Sequence, residues 1–157
     1  PCNSPKSKGE EIVFGDKFPT SSGKGKFVFA NVISPDEVPD KNFPMILTTG
    51  RQLEHWHTGA MTRRSFALDT IEPEALVTMN REDINMIGIS SGEKVKVITR
   101  RGAVELMVLE DWGIPKGMIF IPFCFNEAPA NKLTNPQLDP FGKIPEFKFC
   151  AAKVETI

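Results

Sequence analysis

Apolar positions in this chain come in short runs of two kinds. In Lys94–Thr99 and Ala103–Leu109, apolar and polar residues alternate. Val95 and Val97 then share one face, as do Val104, Leu106 and Val108, with Lys94, Lys96 and Glu105 opposite. The tight Arg101-Gly102 step between the two runs predicts a β-hairpin. Other runs are continuous, which predicts strands buried on both faces: Phe43–Thr49 and Met118–Phe123. Phe27–Val32, Ala75–Met79 and Phe147–Val154 complete the predicted strands. One short helix is expected at Glu82–Met86. Asn80 can cap it, acids fill its first turn and Gly88 stops it. About six or seven short strands with little helix favour a closed barrel, because closure leaves no unpaired edge.

The rest of the chain is punctuated by turn residues. Residues 1–26 mix Pro, Ser, Lys and Gly and read as an irregular N-terminal linker, leaving 27–157 as the barrel domain. Residues 126–146 are loop-rich, with four prolines: Pro129, Pro136, Pro140 and Pro145. Gly23-Lys24-Gly25 is not a phosphate loop. It lacks the Gly-x-x-x-x-Gly-Lys-Ser/Thr spacing and leads into a strand pattern.

Charge narrows the function classes. The 157 residues carry 20 acids against 19 bases, which disfavours a general nucleic-acid or membrane-surface binder. No apolar run reaches the ~18–20 residues of a membrane span. The three cysteines, Cys2, Cys124 and Cys150, are widely spaced and form no Cys-x-x-Cys pair. Buried thiols in a reducing compartment are expected. A chain opening on Pro1 without a methionine is expected to be a piece of a longer protein.

The candidate chemistry is concentrated between Leu47 and Arg64. This stretch holds both histidines, and Arg51, Arg63 and Arg64 there face a single acid, Glu54. Gly50 and Gly59 let backbone amides approach a ligand, and Thr48, Thr49, Thr58 and Thr62 add hydroxyls. Many donors with local positive charge, set at the end of a strand, suit a phosphate or pyrophosphate. His55-x-His57 is too small a set for a metal site, since no Asp, Cys or His nearby completes it. No Gly-x-Ser-x-Gly elbow supports a serine hydrolase. Two further segments could contribute. Asn131 has an amide able to read a heterocycle edge. Phe147-Lys148 offers an aromatic face and a cation.

Taken in order, Leu47-Thr-Thr-Gly-Arg51, His55-Trp-His-Thr-Gly-Ala-Met-Thr-Arg-Arg64, Arg100-Arg101-Gly102, Asn131-Lys132-Leu133-Thr134 and Phe147-Lys148-x-Cys150-Ala151 resemble the C-terminal molybdopterin-dinucleotide-binding domain of the DMSO-reductase family. Leu138-Asp139-Pro140 and Lys143–Lys148 are most similar to the catalytic (alpha) subunits of formate dehydrogenases. Periplasmic-type nitrate reductases are the alternative within the family, and a stand-alone β-barrel binding module is the alternative outside it.

The resemblance implies a mainly β fold, a six-stranded double-psi β-barrel with a few short helices. It implies molybdopterin guanine dinucleotide as cofactor, carrying molybdenum or tungsten. Cofactor-binding positions would be Thr49, Gly50, Arg51, His55, His57, Thr58, Met61, Thr62, Asn131, Phe147 and Lys148, with no catalytic residue or metal ligand in the chain. The parent enzyme would oxidise formate to carbon dioxide, and this part alone would be inactive. Expected partners are the remaining domains of the same subunit and iron-sulfur or diaphorase-type electron-transfer subunits, with no nucleic acid and no membrane insertion. The expected compartment is the cytoplasm.

Overall fold

The computed structural model describes residues 4–157; Cys2 lies outside them. The chain divides into two compact units, with the division between Ser34 and Pro35.

In the first unit the described residues form turns and bends without strand or helix. Phe14 and Phe18 stack at 5.3 Å. The amide of Phe18 donates to the Gly23 carbonyl (3.1 Å). The predicted strand Phe27–Val32 does not form, and Phe27, Phe29 and Val32 stand almost fully exposed. Its composition suits a strand, but a strand also needs a partner edge. The six strands of the second unit close on one another and leave none.

Those strands are β1 (Met45–Gly50), β2 (Leu76–Met79), β3 (Lys94–Ile98), β4 (Ala103–Glu110), β5 (Met118–Pro122) and β6 (Cys150–Thr156). They form a closed barrel in the order β1-β5-β2-β4-β3-β6, as expected of the six-stranded fold. The β1–β5 and β2–β4 pairs are parallel and the others antiparallel. Only β3 and β4 are neighbours both in the chain and in the barrel, so β1 and β2 are each followed by a long connection to a strand that is not their neighbour. The connection after β1 is the stretch that carries the histidines.

Alternation along the strands fills the barrel. Leu47, Val77, Met79, Val95, Val97, Ile119 and Ile121 are fully buried. The β3–β4 hairpin has the predicted register, with Val95 opposite Leu106 and Val97 opposite Val104. Helix α2 spans Arg81–Ile87, close to the predicted helix. The Asn80 side chain accepts from the Glu82 amide (2.9 Å), and Gly88 ends the helix in the left-handed conformation. The six-residue α1, Phe66–Ile71, has no counterpart in the predicted elements. It buries no residue and so has no apolar stripe to betray it. Strand β6 starts at Cys150, later than predicted, because residues 147–149 leave the ladder. Among the described residues no helix is long and apolar enough to cross a membrane.

Candidate functional site

The site is built where β1 ends. Gly50 is the last residue of β1 and pairs with Pro122 of β5. A Cβ there would lie 2.5 Å from the Phe120 ring, so only glycine fits without displacing that ring. Thr49 is buried (1% exposed), and its Oγ1 donates to the Phe147 carbonyl (2.9 Å). Lys148 donates from Nζ to the Thr49 carbonyl. The end of β1 is thereby tied to the segment that precedes β6.

After Gly50 the chain makes a compact loop. His55 is buried (1% exposed), and its Nε2 lies 2.7 Å from the Glu72 carbonyl. A carbonyl only accepts, so this nitrogen carries the hydrogen. The ring meets Phe125 edge-on at 5.5 Å, so one histidine joins both ends of the loop to the core. Within the loop, Thr62 Oγ1 accepts from the Trp56 amide (2.9 Å). The Gly59 amide donates to Trp56 O (2.9 Å), and the Arg63 amide donates to Gly59 O (2.9 Å). His57 adopts φ 52°, rare for a residue with a Cβ. Strain of that kind collects at ligand-binding sites. Its ring sits 5.5 Å from Phe123.

Arg63 is the main departure from the sequence reading. It does not add free positive charge to the loop. Its Nε donates to Asp69 (2.6 Å), its Nη1 to Glu127 (2.8 Å), and its Cζ lies 4.6 Å over the Phe125 ring. These partners hold its pKa above the usual arginine value, the Glu127 hydrogen bond contributing most and Asp69 next. Arg63 is a strut between the loop and the segment after β5.

A cavity of about 610 Å³ opens beside these groups. Arg51, His57 and Thr58 line it from the loop after β1, and Phe123 from the end of β5. Asn131 and Thr134 form a second wall, Pro145, Phe147 and Lys148 a third. The segments read separately from the sequence therefore meet around one space. Its lining contains two cations, an imidazole, an amide, two hydroxyls and two aromatic rings, and no carboxylate. A neighbouring cavity of about 500 Å³ is lined by residues 51–57 and Thr62. Arg51 and His57 border both cavities.

Of the expected positions, Arg51, His57, Thr58, Asn131, Phe147 and Lys148 face the larger cavity, and His55 and Thr62 border the smaller one. Thr49 and Gly50 support the site from β1. Met61 is exposed (68%) and lines neither cavity. Thr134 and Pro145 belong to the two segments singled out from the sequence but are not among the expected cofactor-binding positions, and Phe123 belongs to neither. Phe123 belongs to a run predicted as a buried strand, and nothing local shows that the strand stops at Pro122 and frees its ring.

The chain has relatives among known proteins. Residues 45–151 match the family described as "Molydopterin dinucleotide binding domain". This chain belongs to that molybdopterin dinucleotide-binding domain family. It is 45% identical, over its whole length, to the F420-dependent formate dehydrogenase 1 subunit alpha of Methanococcus maripaludis. It is 43% identical, also over its whole length, to the F420-dependent formate dehydrogenase subunit alpha of Methanocaldococcus jannaschii. It spans 23% of the length of each. Among solved structures, acetylene hydratase from Pelobacter acetylenicus superposes with a TM-score of 0.66 at 22% identity, over 74% of this chain and 19% of that one. That likeness concerns the fold alone.

The residues present suit the family's ligand. A cavity near 600 Å³ lies within the ~300–1,000 Å³ of ligand pockets. The missing carboxylates, Arg51 and Lys148 suit a pyrophosphate, and Phe123 and Phe147 offer faces to flat rings.

Proposed function

We propose that this chain is the cofactor-binding domain of a formate dehydrogenase catalytic subunit, and that it holds molybdopterin guanine dinucleotide in the cavity between β1, residues 131–134 and residues 145–148. The observation that carries the reading is the carboxylate-free, doubly cationic, aromatic-bearing lining, found in a chain whose relatives are formate dehydrogenase alpha subunits.

Arg51, Lys148 and the Thr58 hydroxyl hold the pyrophosphate. The His57 ring, backed by Phe123, donates to the ligand from the loop side. The Asn131 amide reads a heterocycle edge, and Phe147 covers a ring face. Thr49, Gly50 and His55 keep the loop in place, and Thr62 holds its turn. The linker, read from sequence as residues 1–26, extends in this reading to Ser34, and the compact barrel unit begins at Pro35.

When bound, the cofactor carries molybdenum or tungsten and supplies the two-electron oxidation of formate to carbon dioxide. This chain's part is to bind, orient and shield the dinucleotide. The partners are the other domains of the same subunit and an electron-transfer subunit of F420-linked or iron-sulfur type. The compartment is the cytoplasm.

The test uses the complete subunit that carries this chain. Arg51→Ala, Asn131→Ala and Lys148→Met are each assayed for bound pterin and metal per chain and for melting temperature. Lower cofactor content with a near-native melting temperature supports the site. Normal pterin and metal content in all three would falsify it.

A further inference from the structure

The walls of the cavity are joined behind the lining by residues that never touch it. Arg101 lies in the turn between β3 and β4. Its Nη2 donates to the Leu133 carbonyl (2.9 Å), and its Nε reaches the same oxygen (3.3 Å). Leu133 is fully buried and closes the 3-10 turn Ala130–Lys132. Asn131 and Thr134 flank it and line the cavity, and Thr134 Oγ1 donates to the Asn131 carbonyl (3.1 Å). The position of this wall therefore follows the Leu133 carbonyl, which Arg101 grips.

The other edge of the Arg101 guanidinium is held by Glu37. Nη2 donates to Glu37 Oε1 (3.1 Å), and Nη1 donates to Oε2. Glu37 Oε1 also accepts from the Ala151 amide (2.7 Å), at the start of β6. Its neighbour Asp36 donates its amide to the Glu146 carboxylate (3.2 Å). Glu146 precedes Phe147 and also accepts from Asn135 Nδ2 (2.8 Å). Residues 36 and 37 thus bind the 146–151 wall directly and reach the 131–135 wall through Arg101 and Glu146. With side chains 13% and 21% exposed, Glu37 and Arg101 are shielded more than a surface pair, so the tie is not lost to solvent.

We propose that Glu37 and Arg101 form a clasp that fixes the gap between the Asn131 and Phe147-Lys148 walls, and that they are positioning residues for the dinucleotide. The inference rests on the cofactor reading above. A carboxylate and a guanidinium suit the role because both are planar and bidentate. One guanidinium can serve Glu37 and the Leu133 carbonyl together, which a lysine ammonium cannot do in the same geometry.

The experiment uses the complete subunit loaded with cofactor and follows the rate of pterin release by the fluorescence of the freed, oxidised pterin. Arg101→Lys keeps the charge and loses the fork. Glu37→Gln keeps the shape and loses the charge. Each is expected to release pterin on the order of tenfold faster, the scale seen when an outer-shell support is removed. The deciding comparison is the pair of Arg101→Lys with Asn131→Ala. If the clasp acts through the Asn131 wall, the double variant releases pterin no faster than Asn131→Ala alone. If Arg101 merely stabilises the barrel, the two effects multiply. Multiplying effects, or native release rates in both Arg101→Lys and Glu37→Gln, overturn the clasp. Should Arg101→Lys fail to fold, Glu37→Gln combined with Asn131→Ala makes the same comparison. Native release in Asn131→Ala and Lys148→Met would instead remove the cofactor reading, and the clasp's role with it.

Discussion

Lys148 donates its ammonium hydrogen to the carbonyl of Thr49, ninety-nine positions away in the chain, and Thr49 Oγ1 donates back to the carbonyl of Phe147 (2.9 Å). The reciprocal pair seals the site's floor, since β1 and β6 already pair at Leu47 and Cys150. Thr49 is buried, so Thr49→Val keeps the shape and removes the only donor this side chain offers Phe147. The expected loss is about 1 kcal/mol of stability, the net worth of one such hydrogen bond. Urea unfolding would read it, with Thr49→Ser retaining most of the native value. A Thr49→Val protein as stable as the parent would mean that the hydroxyl is not needed there.

Gly59 and Gly88 separate two costs that substitution at glycine usually mixes. Both have positive φ, +75° and +81°. A Cβ at Gly88 meets nothing within 4 Å, whereas one at Gly59 lies 2.6 Å from the Cys124 carbonyl and 2.7 Å from Arg63 Cγ. Gly88→Ala should therefore cost only the left-handed backbone penalty, about 1–2 kcal/mol. Gly59→Ala should cost a further 1–3 kcal/mol, roughly the range for overpacking. It should also lower cofactor content, because the loop of His57 and Thr58 must move. Equal destabilisation in the two variants would contradict the close approach at Gly59.

The contrast marks what sequence could and could not reveal. Alternation at Val95/Val97 and Val104/Leu106 specifies the hairpin, because period-two burial leaves a local trace. The Asn80 cap and Gly88 bound α2 for the same reason. The three segments of the cavity were legible as chemistry, since Arg51, Asn131 and Lys148 are conspicuous donors in loops. Their supports were not. Glu37 finds Arg101, and Arg63 finds Glu127, only through the barrel closure, and nothing near either residue announces the partner. Phe27–Val32 fails in the opposite sense: its local signal is a strand's, but the ladder it needs is not offered.

Arg63 should behave as a structural residue although it lies in the basic stretch. It is held by Asp69 at 2.6 Å and by Glu127 at 2.8 Å, and it covers the Phe125 ring. Glu127 is largely exposed (68%), so solvent screens its share, and Asp69 with the ring carries most of the effect. Arg63→Ala is expected to lower stability by about 1–2 kcal/mol, as hydrogen bonds to charged groups are lost. Arg63→Lys should recover only part, because one ammonium cannot reproduce the two-sided grip. Arg51, whose guanidinium lies 6.0 Å from the Trp56 ring and forms no salt bridge among the described residues, should leave unfolding almost unchanged when replaced by alanine. Thermal unfolding of the three variants side by side separates the two arginines. The reverse ranking would return Arg63 to the ligand.

Acid should loosen the clasp before it unfolds the barrel. Burial alone would push the Glu37 carboxyl up. The Arg101 hydrogen bond, the Ala151 amide and the charges of Arg101 and Arg100 together outweigh it and hold the group below its ordinary value of 4.5. With the folded pKa depressed, the unfolded chain binds the proton more readily. Glu37's contribution is then fully present above about 4.5 and is lost as pH falls through the lower folded value. Asp40, Glu105, Glu127 and Asp139 are also held low, so the acid limb of the native protein sums several groups. The difference between native and Glu37→Gln protein isolates one of them. At neutral pH the variant should unfold at lower urea than the native protein. The gap should close as pH drops below 4.5, because a protonated Glu37 and a glutamine present Arg101 with similar neutral groups. A gap that stays constant down to the acid transition would show that ionisation of Glu37 does not separate the two proteins, and would remove the charge of Glu37 as the source of the clasp's stability.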